Sequence, residues 1–304
     1  MADGPRGETE PVARRHPILR GMLFLALTAA ALLAVVALVT LIAGERPLFG
    51  KNVAVVELRG VIQDASETID SLERLRQSDA TVAVVLRIDS PGGAVAPSQE
   101  IYDEVWRIRE QKPIVASLGS VAASGGYYVA SAANRILANP GTITGSIGAI
   151  MTVPYYAPLA DKIGFSEENV KSGRFKDTGH PLRRLSPEER SLLQGMVDDV
   201  LSQFVDAVAR GRKMQPARIR ALADGRIYSG TQALAAGLVD QLGGLQDATR
   251  VAWEDAHQTG EPRVQRLHAR RLPWLLQLLG DAVADVAPET RGGLFFLYQG
   301  PHPE

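Results

Sequence analysis

The sequence predicts an α/β protein built around a parallel sheet and carried behind a single apolar segment near its N-terminus, and three observations predict it. Short runs rich in β-branched residues alternate with amphipathic stretches of helical period. The runs are continuously apolar rather than alternating, as strands covered on both faces require. One uninterrupted apolar segment, Met22 to Ala43, precedes all of them.

Composition narrows the functional classes. A chain of 304 residues with 45% hydrophobic and 22% charged residues can bury one large core or two modest ones, and is not a disordered chain. Lys and Arg number 33 against 34 Asp and Glu, so no global field draws the chain to nucleic acid and no nucleic-acid partner is expected. There is no cysteine, which excludes disulfides, thiolate zinc sites and a cysteine nucleophile together. A covalent catalyst must use oxygen or nitrogen; neither a metal nor a cofactor is expected.

Residues 1–21 are polar and contain Pro and Gly, the composition of a short disordered cytosolic tail. Residues 22–43 contain no charge, Pro or Gly, and at about 1.5 Å per residue they cover a ~30 Å hydrocarbon core. The apolar part of a cleavable signal peptide is shorter, roughly 7–15 residues, so the run reads as a transmembrane anchor. Arg14, Arg15 and Arg20 precede it while Glu45, Arg46 and Lys51 follow, and this excess of positive charge on the N-terminal side puts the body outside the cytoplasm.

Within the body, residues 44–259, "VAVVEL" (Val53 to Leu58), "VAVVLRID" (Val82 to Asp89) and "PIVASLG" (Pro113 to Gly119) read as buried strands. Between them, Ile69, Leu72 and Leu75, then Ile101, Val105 and Ile108, fall at helical spacing. Further on, Ser186 as N-cap, Pro187 at the first helical position and Glu189 closing a capping box start a long helix. Its apolar stripe is Leu193, Val197, Leu201, Val205 and Val208.

Three loops hold the candidate chemistry. "DSPGG", Asp89 to Gly93, follows the second strand; its plain reading is a tight turn, its functional one a preformed anion-binding turn of bare N–H groups. "GSVAASGGYY", Gly119 to Tyr128, sets Ser124 among small residues, where a helix begins a few residues past a strand end. That geometry suits an exposed nucleophile, and packing of a helix on small residues is the alternative. The five histidines offer a base only at His180, which reads as a loop residue. "VKSGRFKDTG", Val170 to Gly179, offers Lys171 and Lys176; a lysine acts as base only when neutral, which needs its pKa brought down from ~10.4 to about 7.5 by burial or a second cation.

Taken with "TGSIG" (Thr144 to Gly148), and in this order behind one anchor, these motifs resemble the signal peptide peptidase A family of bacterial serine proteases. The likeness runs from about Val53 to Ala256 and includes "ADGRIYSGTQALAAGLVDQLGG", Ala223 to Gly244; one copy of each motif makes the single-domain short form the nearer likeness. The resemblance implies the Clp protease/crotonase fold of stacked β-β-α units, assembled as a homo-oligomeric ring. It implies Ser124 as nucleophile and Lys176 as general base of a Ser–Lys dyad. Gly93, or its neighbour Gly92, and Gly125 would supply the oxyanion hole, and Ser146 a hydroxyl that orients the lysine. The implied substrates are cleaved signal peptides or similar hydrophobic peptides, met at the extracytoplasmic face of the bacterial inner membrane.

Residues 260–304 lie outside the likeness. There Trp274, Leu275, Leu278 and Leu279 make an apolar helical stripe after the basic "RVQRLHARR", which reads as packing on its own domain or a neighbouring subunit, or else as a membrane-surface contact. Rival readings are a partner-dependent quality-control protease for membrane proteins, a non-catalytic membrane scaffold of the same fold, and a crotonase-like acyl-CoA enzyme, against which the anchor speaks.

Overall fold

The computed structural model describes residues 25–35, 50–267 and 294–297. The chain divides into two units, Met1–Gly50 and Lys51–Glu304. In the first, residues 25–35 form an exposed helix, α1, apolar but for Thr28. Among the described residues no helix is long and apolar enough to cross a membrane. The rest of the expected anchor, residues 22–24 and 36–43, lies outside them, as does the stripe from Trp274 to Leu279.

The second unit follows the predicted alternation through β1 (Asn52–Arg59), α2 (Ser66–Gln77), β2 (Thr81–Ser90), β3 (Gly92–Ala94), α3 (Val95–Arg109) and β4 (Ile114–Ala123). Then come α4 (Gly125–Ala130), β5 (Arg135–Ala138), β6 (Ile143–Gly145), β7 (Ile150–Met151), α5 (Ala157–Ile163) and α6 (Pro187–Arg212). α7 (Pro216–Arg220), β8 (Ile227–Ser229), α8 (Gly230–Ala236), β9 (Gln241–Leu242), α9 (Leu245–Asp255), β10 (Val264–Leu267) and β11 (Leu294–Leu297) complete it.

The main sheet runs β10-β1-β2-β4-β5-β9 and is parallel along that path. Successive side chains of a strand point to opposite faces, and both faces are covered, which is why these strands are continuously apolar. Ala54, Val56 and Leu58 of β1 join a core with Leu72, Ile101, Val105 and Phe204. Val53 and Val55 join Ala83, Val85 and Val115 in a second core under Ala248, Val251 and Trp253 of α9. β10, which belongs to the C-terminal extension, adds an edge strand beside β1.

Two elements differ from expectation in ways that shape the site. β4 outruns its predicted end at Gly119 because it changes partner: Val115 to Leu118 pair with β5, and Val121 to Ala123 pair with β6. The fork carries the strand up to Ser124. α6 begins with the predicted capping box, Ser186 accepting from the Glu189 amide and Glu189 from the Ser186 amide. Of its stripe only Val205 and Val208 are buried; the N-terminal half stands clear of this chain's core, with Leu192 and Met196 exposed.

Candidate active site

Ser124 is the single residue between the end of β4 and the start of α4. The chain turns there through φ 51° and ψ −117°, a conformation that costs a non-glycine residue about 1–3 kcal/mol and persists only when its surroundings fix it. They do: the Ser124 amide donates to the Gly145 carbonyl at 2.8 Å and its carbonyl accepts from the Tyr128 amide at 2.8 Å. The tyrosines of the motif anchor α4 rather than face a ligand. Tyr127 donates to the Leu238 carbonyl at 2.8 Å, and the Tyr128 ring lies 5.0 Å from those of both Tyr102 and Phe204. Burial raises both phenols, Tyr128 to about 12.

The small residues are there to let backbones meet. A Cβ on Gly125 would stand 2.7 Å from Ser98 Oγ, 3.2 Å from Gly92 Cα and 3.2 Å from the Gly93 nitrogen. A Cβ on Gly93 would fall 2.0 Å from the Ile62 carbonyl oxygen, where the chain pairs as Ile62 N–H to Gly92 O (2.8 Å) and Ala94 N–H to Ile62 O (2.7 Å). Ser124, Gly125, Gly92 and Gly93 are thus brought together. Gly92 donates its amide to Ser90 Oγ at 3.1 Å, which favours Gly93 over Gly92 as an amide for an incoming oxyanion. Ser90, Ser98 and Ile62 were not singled out from sequence; only the position of Ser90 inside "DSPGG" hinted at one of them.

Ser146 reaches the same place through the β4–β6 pairing, in which Ala123 faces Gly145. It too has a positive φ, 51°, and its amide donates to the Arg226 carbonyl at 2.9 Å.

Lys176 does not join them. It is exposed, and among the described residues its ammonium has neither an ion-pair nor a hydrogen-bond partner, Ser124 and Ser146 included. Its loop is held by charge instead. Arg183 bridges Asp177 (3.0 Å) and Glu189 (2.5 Å), Lys171 Nζ lies 2.5 Å from Asp177 Oδ1, and Thr178 donates to Glu189 at 3.3 Å. Hydrogen bonds from Arg183 and the Ser186 amide hold Glu189 at about 2, and those from Lys171 and Arg183 lower Asp177. Lys171 is therefore a tether of the loop. His180 accepts from the Leu182 amide through Nδ1 at 3.2 Å and sits 3.5 Å from Glu167, a loop role as its position predicts. Among the described residues no cluster of His, Asp or Glu is arranged to hold a metal.

The model of peptidase family S49 matches residues 107–259, and that of Clp protease matches residues 52–142. A protein of Synechocystis sp. named as a protease is 43% identical over 204 residues, 66% of this chain and 73% of the relative. An Enterococcus faecium protein named as signal peptide peptidase SppA is 36% identical over 67% of this chain and 63% of its own length. The chloroplastic serine protease SPPA of Arabidopsis thaliana is 35% identical over 75% of this chain, which spans 34% of that longer protein.

Proposed function

The chain belongs to peptidase family S49, a serine peptidase by class, and on that premise we propose that it is a Ser–Lys endopeptidase cleaving hydrophobic peptides, with Ser124 as nucleophile. The observation that carries this reading is the meeting of two backbone segments, Ser124–Gly125 with Ser124 at positive φ, and Gly92–Gly93 against it. The Ser124 hydroxyl attacks the scissile carbonyl as its proton passes to neutral Lys176; the oxyanion faces the amides of Gly93 and Gly125. The lysine then protonates the leaving amine, and water releases the acyl group from Ser124. Ser146, which follows the Gly145 whose carbonyl accepts from the Ser124 amide, is the hydroxyl that orients the lysine in this mechanism.

Burial is what keeps a lysine neutral, and Lys176 is exposed in the single chain. A second copy lying on its loop supplies that cover, so the working enzyme is a homo-oligomer, a ring by the family resemblance. The E. faecium relative is named for signal peptides. With residues 22–43 as a membrane anchor and the body outside the cytoplasm, peptides left in the same bilayer are the natural substrates here. The test is hydrolysis of an apolar fluorogenic peptide by the full chain in detergent. Ser124→Ala and Lys176→Ala lose about 10³-fold or more, while Lys171→Ala stays within about twofold of wild type, its tether to Asp177 being one of two. Activity that survives Ser124→Ala overturns the mechanism, and no hydrolysis by any folded form favours a scaffold.

A further inference from the structure

Both segments of the site, Gly92–Gly93 and Ser124–Gly125, leave the main sheet at one irregularity. β2 and β4 pair as Ile88 with Leu118 and then as Ser90 with Ala122. Between those pairs β2 has a single residue, Asp89, whereas β4 has Gly119, Ser120 and Val121. A bulge of this kind re-aims the strand that carries it and interrupts the ladder. Here a side chain stands in for the ladder: Asp89 Oδ1 accepts from the Val121 amide at 3.1 Å. The carboxylate can lie there because residue 119 is glycine, on which a Cβ would fall 2.7 Å from Asp89 Cγ and 2.9 Å from the Ile88 carbonyl oxygen. The Asp89 carbonyl in turn accepts from the Gly60 amide at 3.0 Å, at the turn that brings Ile62 onto one edge of β3. β11, which also pairs with β7, lies on the other edge. Arg59, the cation whose field reaches Asp89, is paired with Glu57 at 2.8 Å.

We propose that Asp89 is a positioning residue for the reaction: its carboxylate oxygen, as acceptor for the Val121 amide, fixes the bulge in β4 and so sets Ser124 and Gly125 against the Gly93 amide. The proposal rests on the reading of the site as one that cleaves peptides. Asp89 does not touch the reacting atoms. Val121 lies three residues before Ser124, and Asp89 four before Gly93, so the tether closes the junction from which the two segments diverge. Only one ladder pair, Ser90 with Ala122, follows the bulge before β2 ends. The pairing of Val121 to Ala123 with β6 and the bond from Ser124 to Gly145 hold the end of β4 against Gly145, not against Gly93. How far β4 has advanced along β2 is therefore left largely to the tether. Successive strand residues are about 3.3 Å apart, and the extra residues of the bulge are slack through which part of one such step can pass. A displacement of about 1 Å between nucleophile and oxyanion donor costs on the order of 10²-fold in rate. The role requires an acceptor and not a charge, so an amide oxygen at position 89 should serve.

The test compares Asp89→Ala, which removes the acceptor, with Asp89→Asn, which keeps an oxygen and removes the charge, each in the full chain in detergent. On an apolar fluorogenic peptide, Asp89→Ala should lose about 10²-fold in kcat with KM within about twofold, the pattern of an interaction made only in the transition state. Asp89→Asn should restore kcat to within about threefold of the parent. Hydrogen exchange supplies a readout that needs no hydrolysis. The Val121 amide should exchange about tenfold faster in Asp89→Ala and at the parent rate in Asp89→Asn. The Ser124 amide, bonded to Gly145, should stay slow in all three chains, which separates loss of the tether from loss of the fold. Parent-like kcat in Asp89→Ala overturns the proposal, and so does an equal loss in both variants, which would assign the effect to the charge. Faster exchange at Ser124 as well as Val121 would make Asp89 a general support of the fold and overturn the positioning role. No hydrolysis by any chain, the parent included, removes the peptidase reading. The exchange rates then decide the tether alone: it is kept if Val121 quickens only in Asp89→Ala, and overturned if it quickens in neither variant or in both.

Discussion

Ser124 and Lys176, the two residues meant to share one proton, stand in opposite surroundings. Ser124 is 1% exposed, set at the end of a strand between residues that are almost all buried, and its unusual dihedral angles are fixed from two sides by backbone hydrogen bonds. Lys176 rides on an arm between β7 and α6 that contributes little to the core. Ile163, Phe165 and Val170 on that arm are 71%, 53% and 100% exposed, and its loop is held by Asp177, Arg183 and Glu189. On the proposed mechanism, the nucleophile and its anion-binding backbones are complete within one chain, whereas the proposed base, Lys176, lies on a segment whose apolar surface is uncovered in that chain. The two halves of the chemistry should therefore fail in different ways.

The largest effect belongs to the body. Gly125→Ala forces a methyl to 3.2 Å from the Gly93 nitrogen and 2.7 Å from Ser98 Oγ, displacing the two amides proposed to face the oxyanion. The expected loss in kcat is about 10²–10³-fold, the cost of losing an oxyanion donor, in a protein whose circular dichroism matches the parent. Gly195→Ala is the control: nothing lies within 4 Å of a Cβ there, in the uncovered half of α6, and activity stays unchanged. Comparable losses in both variants would erase the distinction between body and arm.

The next effect belongs to the arm. Ile163→Asp combined with Phe165→Asp places charge on the surface that a second copy would cover, without touching Ser124. Light scattering should show a smaller assembly, and specific activity should drop about ten- to a hundredfold at dilute enzyme and recover as concentration rises. Unchanged size with unchanged activity would mean that the arm needs no cover.

The same contrast decides what could be read from sequence. The strands were legible because covering on both faces leaves a continuous apolar signature, and α2 and α3 because one buried stripe leaves a periodic one. Ser124, Gly92, Gly93, Gly125 and Ser146 were legible as motifs of the family; their meeting was not, since it depends on the fork in β4 and on Ile62 pairing with β3, neither of which has a local pattern. The sequence puts Leu193, Val197, Leu201, Val205 and Val208 on one apolar stripe of α6, yet only Val205 and Val208 of them are buried in this chain. An apolar stripe records that a face is buried somewhere, without recording by which molecule. β11 was missed for a related reason: four apolar residues near a terminus carry no sign of the two distant strands they join.

The smallest effect compares one motif in both settings. α6, which begins where the arm ends, and α8 on the body each begin with a full capping box, Ser186 with Glu189 and Ser229 with Gln232. Replacing either serine by alanine removes an acceptor for one end amide, about 1 kcal/mol in each case. At α8 that energy is coupled to the sheet, because Ala233 is fully buried and Gly230 lies so close to Asn139 that a Cβ would fall 2.0 Å from its carbonyl oxygen. Ser229→Ala should therefore lower the global Tm by about 2–4 °C. At α6 the N-terminal half frays without disturbing the core, so Ser186→Ala should leave the global Tm nearly fixed and appear as faster hydrogen exchange at residues 188–190. Equal shifts in Tm would place the start of α6 in the cooperative core and the base with it, and the difference between the two halves of the site would then lie in exposure alone.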